Sequence, residues 1–161
     1  MTEFLEAGRT LGPVSEGLVP GFRYSSEAQE LWALLIGTLG EWEQRANQAS
    51  AAEGLSPVSA WALVQLDPEE PISQKQLAAR LKCNPSTVVD PTDRLEEAGL
   101  VVRRPKPSDR RVNVLMVTAR GAAVRKRLIN RLLKPPAAFQ KLPAREQGRL
   151  VDILKAAVAE T

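Results

Sequence analysis

Two short helices and a tight turn are all that fit between Ser73 and Gly99. Ser73 and Gln76 make an S-x-x-Q capping box, in which hydroxyl and amide satisfy backbone groups at a helix start. The helix it opens, residues 74–81, turns Leu77, Ala78 and Leu81 inward. Lys82 and Cys83 leave room only for a turn. Asn84 then reads as a cap, and Pro85 as the first position of a helix that runs to Ala98 and ends at the C′ glycine, Gly99. Helix, brief turn, helix is the helix-turn-helix pattern.

The segment after it changes period. Leu100–Arg104 and Val112–Val117 suit two strands, and residues 105–110 make the loop of a β-hairpin with a cationic tip. The second strand is apolar because it lies on the helical core, and the tip is charged because it stands clear of it. Thr118 caps a helix over residues 119–134, Pro135-Pro136 breaks it, and Pro143 starts a last helix to about Ala159. Upstream, Ser26 and Gln29 open a long helix. Its apolar stripe (Ala28, Leu31, Trp32, Leu35, Leu39, Trp42, Ala46, Ala49), widened by Leu34 and Ile36, needs more than one neighbour. Ser56-Pro57 starts a further helix to Leu66. The chain thus divides into an irregular Gly/Pro-rich arm (1–24), a long N-terminal helix (25–55), a helical lobe with a β-hairpin (56–118) and C-terminal helices (119–161).

Composition excludes more than it includes. The 161 residues suffice for one core. With no histidine and one cysteine, Cys83, neither a Ser-His-Asp nor a Cys-His site can be assembled, and a structural zinc lacks ligands. No catalytic residues, metal or cofactor are expected, and an enzyme is not. No apolar run would span a membrane, no secretory leader is visible, and the lone thiol suits a reducing cytoplasm. Net charge is +3, but its distribution is lopsided. Residues 1–70 carry 3 basic and 11 acidic side chains, whereas residues 99–134 carry 11 basic and only Asp109 acidic. Ten net positive charges beside a helix-turn-helix are the footprint of a polyanion-binding face.

The hairpin carries a further pattern. Asp109-x-Arg111, five residues, then Val117-Thr118-x-x-Gly121 resembles the D-x-R-x5-L-T-x-x-G signature of the MarR family of winged-helix transcriptional regulators, with Val117 in place of Leu. Ser86 to Arg104, especially "DRLEEAGLV", is similar to that family's recognition helix and first wing strand. The resemblance implies a mainly α fold with a small β-hairpin wing, flanked by N- and C-terminal dimerisation helices. It also implies a homodimeric, sequence-specific regulator, a repressor in many members. A recognition helix of each chain would lie in a major groove of a pseudo-palindromic double-stranded DNA operator, with half-sites about 34 Å apart. Many members answer to small, often phenolic, ligands. A non-specific architectural DNA-binding protein, or a winged-helix protein-interaction module, remains the alternative.

Candidate DNA-binding residues follow by position. Ser86 and Thr87 lie in the first turn of the recognition helix, where hydroxyls reach base edges or phosphates. Val89 can touch a thymine methyl, and Asp90 can accept from cytosine or orient Arg94. Arg94 can contact phosphate or pair with Asp90 at i,i+4. Arg103 and Arg104 suit phosphates or the strand edge, and Lys106 and Arg110 suit a narrow minor groove. Asp93 and Arg111 resemble the family's pair linking recognition helix to wing, so both, with Asp109, are wing-positioning candidates. Pro91 sits inside the recognition helix and predicts a kink there, unless the helix begins later. The later charges, Arg125, Lys126, Arg127 and Arg131, suit pairing with the acidic N-terminal half. Cys83 reads as a small buried hydrophobe, with a redox role as the alternative. Trp32, Trp42 and Trp61 are either core or the lining of a pocket for a small aromatic effector.

Overall fold

The computed structural model describes residues 21–106 and 108–159, with the backbone alone at residues 41 and 110. Most of the irregular arm expected over 1–24 lies outside the described residues.

Seven helices and a three-stranded sheet make up the described fold. Ser26 caps α1, Glu27–Ala52, through the Gln29 amide, although the Gln29 side chain turns back to Ser25 rather than Ser26. Ser56 caps α2, Pro57–Gln65, with proline in its first turn. A two-residue strand, β1 (Ile72–Ser73), precedes α3, Gln74–Arg80. Both halves of the Ser73–Gln76 capping box form. After a 3-10 turn, Pro85–Val88, comes α4, Val89–Glu97. Strands β2, Val101–Lys106, and β3, Asp109–Val117, form the wing. Then come α5, Ala119–Leu132, the short α6, Ala137–Lys141, and α7, Ala144–Ala159.

The sheet order is β1-β3-β2, all antiparallel, with Ile72 opposite Leu115 and Arg103 opposite Leu115 on the other side. The hairpin expected from the sequence therefore gains a third strand, which ties the start of α3 to the wing. The wing strands also run further than expected. Pairing continues through Pro105, opposite Asn113, and a bulge then brings Lys106 opposite Asp109. Pro105 is tolerated because β2 is an edge strand.

One core serves helices and sheet alike. Leu63 and Leu66 of the α2 end, Ile72, Leu77, Leu95, Leu115 and Leu128 are all buried, from six different elements and their ends. Thr118 closes the wing onto α5: its hydroxyl accepts from Gly121 N at 2.9 Å and lies 2.8 Å from the Gly99 carbonyl. Gly121 is where two backbones touch. A Cβ built on it would stand 2.0 Å from the Leu100 carbonyl oxygen, inside any possible contact distance. Gly99 adopts φ 68°, as a C′ glycine must.

The flanking helices look different. No residue of α7 is buried, and Leu150, Val151, Ile153, Leu154 and Val158 are exposed. The N-terminal half of α1 likewise exposes Leu31, Trp32, Leu34 and Leu39. Its C-terminal end is held to α5, where Arg127 donates Nε and Nη2 to Glu53 at 3.0 and 2.7 Å and Arg131 adds a longer contact at 3.5 Å. Of the four later charges, Arg127 and Arg131 thus pair with an acid of the N-terminal half, whereas Arg125 donates to the Val64 carbonyl at 3.2 Å.

Candidate nucleic-acid interface

Amphipathic spacing decides which side of the recognition segment is free. Val88, Pro91, Thr92 and Leu95 are buried, so the opposite side is exposed and carries Ser86, Thr87, Val89, Asp90 and Arg94. Ser86 and Thr87 belong to the 3-10 turn and the other three to α4. Asn84 stands before the turn without making the side-chain cap bond expected of it.

Pro91 does not kink a continuous helix. The α-helix begins at Val89, so Pro91 is its third residue and stands in the first turn. Amides there have no partner within the helix, and the missing N–H costs no bond. The tighter 3-10 turn before it also removes the α-helical carbonyl that the ring would strike. The ring itself is buried. Proline thus marks where one helical geometry gives way to another.

Behind the exposed face, one hydroxyl joins three elements. Thr92 Oγ1 donates to the Val88 and Val89 carbonyls at 2.8 and 2.9 Å. It accepts from Gln74 Nε2 of α3 at 2.7 Å and from Arg103 Nη2 of β2 at 2.9 Å. Arg103 also binds Asp93 at 2.5 Å and Glu96 through Nη1, while its backbone N–H donates to Glu96 at 3.1 Å. Partial burial disfavours the guanidinium charge, but the hydrogen bonds and charges of Asp93 and Glu96 outweigh it and move the pKa upward. Helix-turn-helix and wing are thereby fixed to each other.

This geometry revises two expectations. The ion-pair partner of Asp93 is Arg103, not Arg111, because Arg103 on β2 faces α4 whereas Arg111 lies exposed near the far end of β3. Arg103 is also not free to meet phosphate: both terminal nitrogens are taken, and its side chain is 23% exposed. Sequence reasoning missed Gln74, Thr92 and Glu96. A threonine inside a helix, flanked by acids one and four positions on, was the available signal.

The other candidates are spread over the same side. Arg94 Nε donates to both oxygens of Asp90, at 3.1 and 2.9 Å, and both side chains are exposed. Arg104 and Lys106 are exposed along β2. Asp109 accepts from the Arg111 amide at 3.0 Å, shaping the start of β3. The Arg110 side chain lies outside the described residues. Cys83 is half-buried against the core. Trp42 and Trp61 meet edge to face with centroids 5.8 Å apart, and Trp61 is 41% exposed. Trp32 is exposed and does not join them. None of the three is fully buried core. Among the described residues no acidic or cysteine cluster could hold a metal, and no helix is long and apolar enough to cross a membrane.

Comparison with known proteins decides the family. The MarR family pattern matches residues 55–112. A proposed transcriptional regulatory protein for the hcr operon of Thauera aromatica is 30% identical over 135 residues, covering 82% of this chain and 81% of the relative. The chain belongs to the MarR family of transcriptional regulators. CouR from Rhodococcus jostii, solved with p-coumaroyl-CoA, is 28% identical at a TM-score of 0.65 over 86% of this chain and 98% of its own. The same repressor bound to a 23-mer DNA duplex is 25% identical at 0.62 over the same shares. A MarR family protein from Bacillus stearothermophilus shares the fold at a TM-score of 0.73 and 21% identity, over 86% and 98% of the two chains. The winged-helix fold expected of this MarR-family chain is thus the one it has.

Proposed function

We propose that two copies of this chain form a cytoplasmic homodimer that represses transcription by gripping a pseudo-palindromic DNA operator. The observation that carries this reading is the exposed face of Ser86, Thr87, Val89, Asp90 and Arg94, set on a rigidly clasped α4 beside a basic wing. In this reading residues 56–118 are the DNA-binding lobe, and the helices of residues 25–55 and 119–161 join the two copies. The exposed apolar residues of α1 and α7 support the latter assignment, since such patches mark association surfaces. Arg104, Lys106 and Arg110 serve phosphates and the minor groove, while Asp93 through Arg103, and Asp109 through the Arg111 amide, hold the wing. The similar repressor CouR, solved bound to a 23-mer DNA duplex, supports DNA as the partner. A small aromatic effector would bind at Trp42 and Trp61 and shift the spacing of the lobes, an assignment supported by the aromatic acyl thioester held by CouR.

Selection of bound sequences from random DNA, followed by salt titration, tests the reading. An inverted repeat with half-sites about one helical turn apart is expected, and binding to it should survive competitor DNA. Recovery of no consensus would point instead to architectural binding, and absence of salt-dependent binding to a protein-interaction module.

A further inference from the structure

The recognition segment is oddly acidic for a face that meets DNA. From Pro85 to Ala98 it carries Asp90, Asp93, Glu96 and Glu97 against a single cation, Arg94. Arg103 neutralises Asp93 and Glu96 from behind. Asp90 and Glu97 are left exposed, and among the described residues Asp90 is paired only with Arg94, one helical turn away.

The way they pair matters. Asp90 engages the Nε edge of the guanidinium with both oxygens. The opposite edge, Nη1 and Nη2, makes no bond among the described residues. That edge is the two-pronged donor that matches the O6 and N7 acceptors of guanine in a major groove. A carboxylate held at one edge fixes the plane of the group, so the fork is aimed before DNA arrives.

The same carboxylate argues against phosphate as the target. An anion brought to the free edge of Arg94 would approach Asp90, and like charges that close repel strongly in a partly dehydrated groove. The guanine edge is uncharged and pays no such penalty. Arg103 makes the contrast clear, because its Nη1 and Nη2 are consumed internally and it can read nothing.

We infer that Arg94 reads one guanine in each operator half-site, and that Asp90 is the positioning residue that aims it and turns phosphate away. This rests on the operator-binding reading above and names the base that reading leaves open.

The test is sequence selection with the full-length parent and with Arg94→Lys, Arg94→Ala and Asp90→Ala, followed by affinities for the selected duplex, its single-base variants and random duplex across a salt series. The parent should recover an inverted repeat with one guanine per half-site that tolerates no other base. Arg94→Lys keeps the charge but loses the fork. It should bind the guanine duplex about tenfold more weakly and with a reduced preference for guanine, since a compact ammonium meets O6 and N7 less well than the fork. Asp90→Ala should narrow the guanine preference several-fold while binding random duplex more tightly, which a merely structural role would not do. An Arg94→Ala protein that keeps the parent's guanine preference would overturn the inference. So would an Arg94→Ala protein that loses affinity equally on all duplexes, with the salt slope falling by about one. A repeat indifferent to Arg94 removes the inference alone, whereas no repeat from the parent removes the operator-binding reading with it.

Discussion

The wing-bearing lobe, with α5 packed on its core, and the outer helices α1 and α7 follow opposite rules. In the lobe, side chains are satisfied at home: Leu95, Leu115 and Leu128 are buried, and Thr92 and Arg103 have partners for their polar atoms. In α7 and the first half of α1, apolar residues at helical spacing stand exposed. The lobe is a finished fold, while the flanks are half of one. Damage to the first should therefore unfold the protein, and damage to the second should separate its copies.

The largest effect is expected at Gly121. Alanine there would put its Cβ 2.0 Å from a backbone oxygen that cannot swing aside. Wing and α5 must separate for it to fit, at a cost of about 3 kcal/mol or more. Chemical denaturation of Gly121→Ala against the parent measures this. An unchanged midpoint would mean that the lobe is looser than its packing implies.

Next comes the flank. Leu154→Glu puts a charge on the apolar face of α7, where leucine is exposed in the single chain. About a 100-fold weaker self-association is expected, equivalent to about 2.7 kcal/mol, with helical content nearly retained. Sedimentation and circular dichroism together check it. A variant that unfolds instead of dissociating would erase the distinction between the two regions.

Two arginines sharpen the comparison within the lobe. Arg103→Ala removes the cation shared by Asp93 and Glu96 and should cost about 1.5 kcal/mol of stability, discounted because the two acids are partly solvated. Arg94→Ala breaks only an exposed i,i+4 pair and should cost less than about 0.5 kcal/mol. Thermal unfolding of the pair of variants decides this. Equal losses would mean that Arg103 is no clasp.

The difference between these arginines also explains what could be read in advance. Caps are local, so Ser26, Ser56, Ser73, Thr118 and Gly99 announced their helix ends correctly. The T-x-x-G spacing was legible too, although only the fold reveals that Gly121 is squeezed against Leu100. What lies across the chain was not legible. Arg103 finds Asp93 because of the strand register and the face β2 turns to α4. A two-residue strand such as Ile72–Ser73 has no periodicity to detect. Pro91 was ambiguous in principle, since the same proline suits a kink or a late helix start, and the choice depends on the 3-10 turn before it. Among the candidate DNA contacts, Ser86, Thr87, Val89, Asp90, Arg94, Arg104 and Lys106 could be placed on the exposed side because burial follows helix and strand period; Arg103 could not, because its partners lie in another element.

A smaller effect than that of the Arg103 clasp lies at the joint between the two regions. Glu53 closes α1 onto α5, and its side chain is only 9% exposed. The Arg127 hydrogen bonds hold its carboxyl below the ordinary carboxylate range, against the opposing effect of burial, with the charges of Arg127 and Arg131 assisting. A carboxylate whose folded pKa is depressed adds stability that is fully present above its unfolded pKa and disappears as pH falls through the folded value. The joint should therefore be intact at neutral pH and weaken only in acid, below the usual glutamate range. Glu53→Gln should cost about 1 kcal/mol at pH 7 and flatten the acid limb of the stability profile. Denaturation midpoints at pH 7, 5, 4 and 3 for both proteins check the sign. A parent that gains stability on acidification, or a variant with the same pH slope, would mean that this ion pair does not couple the flank to the lobe.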